Sequence, residues 1–291
     1  MSSENCISYT KLCGIVCCPP FPSSWVSKLA FFPPAIKTYE LIPTQTNSNR
    51  FALYLSPEFC HASLYQLIQQ DARFMQTSKG SIIAVVFIKC TENKNYTILY
   101  SHNNANDIGS VFDFCIDLSL KTGCDVVTYD YSGYGRSTGK PSEKNIYADI
   151  KAAWDCILAF YEPNPQKIIL FGESIGTVPT IDLASKVRCG GVIVQSPIMS
   201  ALRFVCPNDN NCRFFDCMNS VRKVRKVTAP VLVVHGTEDD LVDFTHGETI
   251  YKNCPRAVEP LWLEGVGHHD IELDEEYVDR LLKFMHEDIA S

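Results

Sequence analysis

Leu170-Phe-Gly-Glu-Ser-Ile-Gly176 carries an apolar strand end into the pattern Gly172-x-Ser174-x-Gly176. A serine on a sharp strand-to-helix turn is held in a strained conformation that pushes its Oγ toward an arriving substrate. The positions two residues to either side must be small, because strand and helix backbones nearly touch there. The N–H of Ile175 then points at the same spot and is placed to donate to an oxyanion. The pattern alone is equally compatible with an idle serine on a glycine-bearing turn, so its surroundings decide. Upstream, Lys167-Ile-Ile-Leu-Phe171 is a short apolar run behind Pro163 and Pro165, as a buried parallel strand requires. Downstream, Val178, Ile181, Leu183 and Ala184 suit a helix. Strand, elbow and helix follow in the required order.

Working outward, strands are expected at 37–42, 51–55, 81–89, 96–100, 125–129, 167–171, 191–195, 231–235 and 260–263. The first four come without long helices between them, which predicts an antiparallel edge. The later ones alternate with helical patterns. Ile146, Ile150, Ala153, Trp154, Ile157 and Leu158 fall on one helix face that Ser142 can cap. Val278, Leu281, Leu282, Met285 and Ile289 repeat that spacing near the C-terminus. The expectation is an α/β fold with a mostly parallel central sheet and helices on both faces. Residues 197–229 leave room for only a small cap insertion.

A serine nucleophile needs a base, and the base needs an orienting carboxylate. In enzymes that use this elbow, the acid and then the histidine follow on loops after later strands. Val231-Leu-Val-Val-His-Gly236 leads into Thr237-Glu-Asp239-Asp240, and Leu261-Trp-Leu-Glu-Gly-Val-Gly267 into His268-His269. A lone loop carboxylate is more often a turn or cap residue. Among Asp239, Asp240 and Asp243, Asp239 is preferred because it lies three residues after Gly236. His268 directly follows Gly267 and is preferred over His269. His235, at a strand end, reads as a packed core histidine. The second oxyanion donor is expected from Ser101-His-Asn103-Asn104-Ala105. There Asn104 partners Ile175, and Asn103 occupies a position where glycine is usual. Asparagine is among the residues that tolerate φ > 0.

A net charge of −7 argues against a general nucleic-acid binder, and no apolar run approaches the roughly 20 residues of a membrane span. The 14 cysteines do not resemble a secreted disulfide framework. Cys90, Cys115, Cys124, Cys156 and Cys189 sit within or beside expected strands and helices, where thiols pack as small apolar groups. No paired CxxC knuckles are present, so neither a metal nor a cofactor is expected. The start of the chain lacks a signal-peptide pattern, which favours a reduced, cytosol-facing protein. Residues 1–35 gather Cys6, Cys13, Cys17 and Cys18 with Pro19-Pro20, Trp25 and Leu29-Ala-Phe-Phe32. That mix suits a membrane-lying segment acylated on its thiols, or else an idle leader; Ser2 excludes N-myristoylation. Residues 36–291 would form the folded domain. Phe204, Phe214, Phe215 and Met218 either line an acyl groove or simply pack the insertion. The basic run Arg222-Lys-Val-Arg-Lys226 reads as a solvated helix face or a contact for anionic lipid.

The chain resembles the alpha/beta-hydrolase domain-containing 17 group of depalmitoylases, membrane-bound serine hydrolases that remove palmitate from protein cysteines. The resemblance rests on Ser27-Lys-Leu-Ala-Phe-Phe-Pro-Pro34, Tyr129-Asp-Tyr-Ser-Gly-Tyr-Gly135, Gly139-Lys-Pro-Ser-Glu-Lys-Asn145, Ser174-Ile-Gly-Thr-Val-Pro179, His235-Gly-Thr-Glu-Asp239 and Val258-Glu-Pro-Leu-Trp262. It covers nearly the whole chain. It implies an alpha/beta-hydrolase fold with Ser174 as nucleophile, Asp239 as orienting acid and His268 as base. It also implies palmitoylation at Cys13, Cys17 and Cys18, S-palmitoylated proteins as substrates, and a peripheral, lipid-anchored location on the cytoplasmic face. A monomer is expected. Two positions depart from the family pattern. Asn103 replaces its glycine in the oxyanion loop, and Glu173 replaces its glutamine in the elbow. A carboxylate beside the nucleophile either raises the basicity of the histidine or faces solvent. The rival activities are a lipid esterase with the same triad and a catalytically weakened membrane scaffold.

Overall fold

The computed structural model describes residues 30–44, 47–59, 68–89, 96–201, 203 and 217–290. Ten strands form one sheet: β1 Tyr39–Thr44, β2 Asn47–Leu55, β3 Gln69–Gln76, β4 Ile82–Lys89, β5 Thr97–Ser101, β6 Asp125–Tyr129, β7 Ile168–Glu173, β8 Gly191–Gln195, β9 Val231–Gly236 and β10 Leu261–Leu263. Their order is β1-β2-β3-β4-β6-β5-β7-β8-β9-β10. β1 to β4 pair antiparallel in sequence, and β4 is also antiparallel to β6. The pairs from β6 across to β10 are parallel. The mixed sheet with an antiparallel N-terminal edge matches the expected architecture, with one correction. The strand expected at 96–100 is not part of that edge but is β5, at the centre of the sheet with parallel neighbours β6 and β7, because residues 102–122 cross over as a loop and helix.

The central strands read as unbroken apolar runs because both faces are covered. Leu99, Val127, Leu170, Val192 and Val233 point into one cluster, while Ile98, Val126, Ile169, Ile193 and Leu232 point into the other. This is the period-two alternation of a strand with two dry sides. On the first face pack α2 (Glu143–Phe160) and α3 (Thr177–Ala184); on the second pack α1 (Phe112–Thr122) and α6 (Glu275–Lys283). Two further helices, α4 (Ser220–Val224) and α5 (Thr245–Asn253), contribute Val224 and Ile250 to the first cluster. Ser142 caps α2 by accepting from the Asn145 N–H at 3.2 Å. After α6 the chain makes a wider turn over Phe284–Asp288, closed by Ile289 N–H donating to the Phe284 carbonyl at 3.0 Å.

One strand was not expected. β3 pairs with β4 along its whole length, yet its sequence, Gln-Gln-Asp-Ala-Arg-Phe-Met-Gln, has no alternating apolar pattern. Only Ala72 is fully buried in it, with Phe74 and Met75 half-buried against the two clusters, so backbone pairing carries more of the strand than side-chain burial does. Cys115, Cys124, Cys156 and Cys189 are free and buried; burial pushes the Cys156 and Cys189 thiols up to about 12. Cys90 lies outside the described residues, as do Cys6, Cys13, Cys17, Cys18, Phe204, Phe214 and Phe215. Among the described residues, no helix is long and apolar enough to cross a membrane. Phe31 is buried in the first core cluster, and the Phe32 N–H donates to the Asn104 carbonyl at 3.2 Å.

The strand order places the site. From β5 the chain moves outward to β6 on one side, then returns to place β7 on the other. In an open parallel sheet this reversal opens a crevice at the carboxyl ends of the two central strands. The loops that meet there are residues 102–106, after β5, and the elbow after β7.

Candidate active site

Ser174 sits at the end of β7 with φ 52, in the left-handed region that a side chain disfavours. The glycines around it are needed for space. A Cβ on Gly172 would stand 2.5 Å from the Gly176 carbonyl oxygen, and one on Gly176 only 2.0 Å from that of Ser101. The elbow is thus pressed against both its own helix and the end of β5. Thr177 braces it: its hydroxyl donates to the Ser174 carbonyl at 2.7 Å and accepts from the Ile198 N–H at 3.1 Å.

Across the crevice, His268 Nδ1 donates to Asp239 Oδ2 at 2.7 Å, and both residues are buried. Nε2 is therefore the ring nitrogen left to exchange a proton with a substrate-facing group. His268 and Ser174 line one cavity of about 420 Å³, together with Ile175 and Asn104. The other preferences separate cleanly. Asp240 is exposed, and Asp243 accepts from the Thr245 N–H at the start of α5 at 2.9 Å. His269 reaches the cavity wall but is exposed. Met218 lines the cavity.

Asp239 is held more fully than its local sequence reveals. Its Oδ1 accepts from the N–H groups of Leu241 (3.0 Å) and Val242 (2.7 Å). Its Oδ2 also accepts from the Ser196 hydroxyl at 2.8 Å and lies 3.2 Å from His235 Nε2. His235 is in the core, as its sequence suggested, but it also touches the candidate acid. Its Nε2 is 2.8 Å from the Val242 carbonyl, which can only accept, so the ring carries its proton on Nε2 and aims a donor at Asp239. Burial pushes the Asp239 carboxyl up, but hydrogen bonds from His235, His268 and Val242 outweigh it. They hold Asp239 well below the usual carboxylate range. A permanently charged Asp239 fixes the His268 tautomer and supports an imidazolium there. Neither Ser196, also at positive φ (45), nor His235 has a sequence signal that marks it.

The loop after β5 is anchored at each peptide. His102 Nδ1 donates to the Asn103 carbonyl at 2.8 Å, and in a trans peptide this turns the Asn104 N–H to the opposite side. The Asn104 carbonyl in turn accepts from the Tyr134 hydroxyl (2.9 Å) and the Phe32 N–H (3.2 Å). Asn103 does not adopt positive φ, so the expected reason for tolerating asparagine there is not the operative one.

No family model matches the chain. Curated relatives do, over nearly their full length. Alpha/beta hydrolase domain-containing protein 17C of Xenopus laevis is 44% identical over 303 residues, covering 99% of this chain and 97% of that protein. Protein 17B of Homo sapiens is 44% identical over 290 residues, covering 99% of each. The chain belongs to the alpha/beta hydrolase domain-containing 17 family. Among solved structures, the Pyrococcus furiosus esterase Pf2001 superposes with a TM-score of 0.64 at 16% identity, over 92% of this chain and 98% of that one. That likeness establishes the alpha/beta-hydrolase fold. Family and fold together support a hydrolase.

The two residues that the resemblance sets apart, Asn103 and Glu173, touch each other. The Asn103 Nδ2 amide donates to Glu173 Oε1 at 2.9 Å, and the Tyr100 hydroxyl donates to the other carboxylate oxygen. Glu173 is buried, which removes the solvent-facing alternative. Nearby, burial and then the Glu173 charge push Glu272 up to about 7.

Proposed function

We propose that this protein is a serine hydrolase that removes palmitate from S-acylated cysteines of membrane-associated proteins. The observation that carries the reading is the convergence of Ser174, a His268 already bonded to Asp239, and two backbone N–H candidates on one largely apolar cavity. Ala30, Phe32, Ile198, Ala201, Met218, Leu241 and Val242 supply its apolar wall. A cavity of about 420 Å³ suits a long acyl chain better than a polar metabolite.

In this mechanism His268 Nε2 takes the Ser174 proton as Oγ attacks the thioester carbonyl. The N–H groups of Ile175 and Asn104 hold the resulting oxyanion. The C–S bond breaks, the cysteine thiolate leaves with the proton from His268, and palmitoyl-Ser174 remains. Water, deprotonated by the same nitrogen, then attacks the acyl-enzyme; the ester C–O bond breaks, the fatty acid leaves, and His268 returns its proton to Ser174 Oγ. Asp239 stays ionised throughout.

Acylation of Cys13, Cys17 and Cys18 would hold the protein on the cytoplasmic leaflet beside such substrates. One acyl chain anchors only marginally, at about 0.8 kcal/mol per buried methylene, so two or more are required. The cavity wall includes Ala30 and Phe32, so an anchor just upstream would keep the mouth near the bilayer.

The test is labelling of the full chain by a fluorophosphonate probe, run beside turnover of a palmitoylated peptide and of monoacylglycerol. The expected result is labelling that disappears in Ser174→Ala, with faster turnover of the thioester. Faster glyceride turnover would make it a lipid esterase, and absence of labelling would make it a scaffold. Changing Cys13, Cys17 and Cys18 together to serine is expected to move the protein to the soluble fraction; unchanged membrane partition would end the anchor reading.

A further inference from the structure

Asn104 is the least locally constrained donor candidate, because it sits on a loop facing the elbow rather than on a strand or helix. What joins that loop to the elbow is the side chain before it. The Asn103 carboxamide makes two hydrogen bonds in opposite directions. Its Oδ1 accepts from the Ala105 N–H at 3.1 Å, closing a tight turn around Asn104. Its Nδ2 donates at 2.9 Å to Glu173, the residue immediately before Ser174. The turn that carries one N–H is thereby tied to the turn that carries the nucleophile.

The far end of the tie is rigid. Glu173 is buried at the end of β7, where it pairs with Gln195 of β8, and its second oxygen accepts from the Tyr100 hydroxyl of β5. Tyr100 is itself fully buried and packs edge-on against Phe171 at 5.4 Å. A hydrogen bond to an ionisable carboxylate with a second buried donor is among the stronger neutral-donor contacts available. Without Nδ2, the loop is still held by His102, Tyr134 and Phe32, so it should stay folded but gain freedom relative to Ser174.

We propose that Asn103 is a positioning residue for the oxyanion site, fixing the Asn104 N–H relative to Ser174 through its hydrogen bond to Glu173. This rests on the reading of Ser174 as nucleophile. Asn103 lines the same cavity as Ser174, but its side-chain hydrogen bonds go to Glu173 and the Ala105 N–H and not to the triad, so it acts through the separation of two loops. A loosened donor weakens the transition state and leaves ground-state binding nearly untouched, so the effect belongs in kcat and not in KM.

The experiment measures kcat and KM for p-nitrophenyl octanoate with the full chain and the variants Asn103→Ala, Asn103→Ser and Glu173→Gln, with a thermal melt for each. Fluorophosphonate labelling of the unaltered protein is checked first. If it does not label, the nucleophile reading fails and this proposal falls with it. In Asn103→Ala, kcat is expected to drop about tenfold with KM within about twofold, less than the loss of about 100-fold or more on removing a donor outright. Asn103→Ser keeps an oxygen for the Ala105 N–H but cannot reach Glu173, and is expected to lose as much as alanine. Glu173→Gln keeps an oxygen that can accept from Asn103, and should lose at most about threefold. The proposal is overturned if the protein labels but Asn103→Ala keeps its kcat, or raises only KM. It is equally overturned if serine restores turnover, which would credit the turn, or if Glu173→Gln falls as far as alanine, which would credit the charge.

Discussion

At Ser174 the fold accepts a backbone conformation that a side chain resists, φ 52 at a non-glycine position. A left-handed residue with a Cβ costs about 1–2 kcal/mol relative to its relaxed state. Ser174→Gly is therefore expected to melt higher than Ser174→Ala, by about 1 kcal/mol, although both lose probe labelling. Equal melting temperatures for the two would mean that the strain is absent. The elbow was legible because its rule is local: small, any, serine, any, small. Asp239 and His268 were legible as loop residues after late strands. His235 and Ser196 were not, although both donors lie within 3.2 Å of the Asp239 carboxylate. His235 follows four apolar residues and looks like core; only the turn that brings Asp239 back over the strand reveals its second contact. Tolerance of positive φ is not what asparagine supplies at position 103. Its backbone is ordinary, and its side chain is what the site uses.

Among the elements, the strands buried on both faces and the amphipathic helices stood out because each has a periodicity of its own. The cap on α2 was equally readable, since Ser142 precedes Glu143 and the apolar face begins at Ile146. Replacing Ser142 with alanine leaves the Asn145 N–H without its side-chain acceptor, so a loss of about 1 kcal/mol in unfolding free energy is expected. Chemical denaturation reads it directly, and a loss below about 0.3 kcal/mol would show that the cap is idle. β3 escaped notice because edge-region strands need little apolar surface. Gln69–Gln76 is recruited by eight backbone pairings with β4, a property of the partner rather than of its own residues. The split of the C-terminal helix at Phe284 escaped notice too, because Leu281, Met285 and Ile289 keep helical spacing through the wider turn.

For the molecule as a whole, buried titratable groups set how stability responds to pH. His246 is lowered to about 4, by burial first and then by His235, with Asp243 and Asp239 opposing the shift. The Met199 N–H donates to its Nδ1 at 3.3 Å, a contact available only to the unprotonated nitrogen. The unfolded chain takes up this proton below about pH 6.5, and the folded one only near pH 4. Between those values the unfolded state binds more protons, so stability falls as pH falls through the window. From pH 7 to pH 5 the protein should lose about 2 kcal/mol more than His246→Gln, measured by urea unfolding at each pH. Parallel losses would remove His246 as the cause. Asp149, raised to about 7 by burial despite the Ser132 hydrogen bonds, works in the opposite sense, losing stability as pH rises toward 7. The order in which the chain supplies the candidate site has a further consequence for biosynthesis. Asn104, Ser174, Ser196, Asp239 and His268 are laid down in that sequence, and the histidine follows the last strand of the sheet. A growing chain can complete its elbow, and the strain in it, well before it owns a base. If the proposed triad acts, the serine has no base on the ribosome until the loop after β10 has been made and β10 docks beside β9.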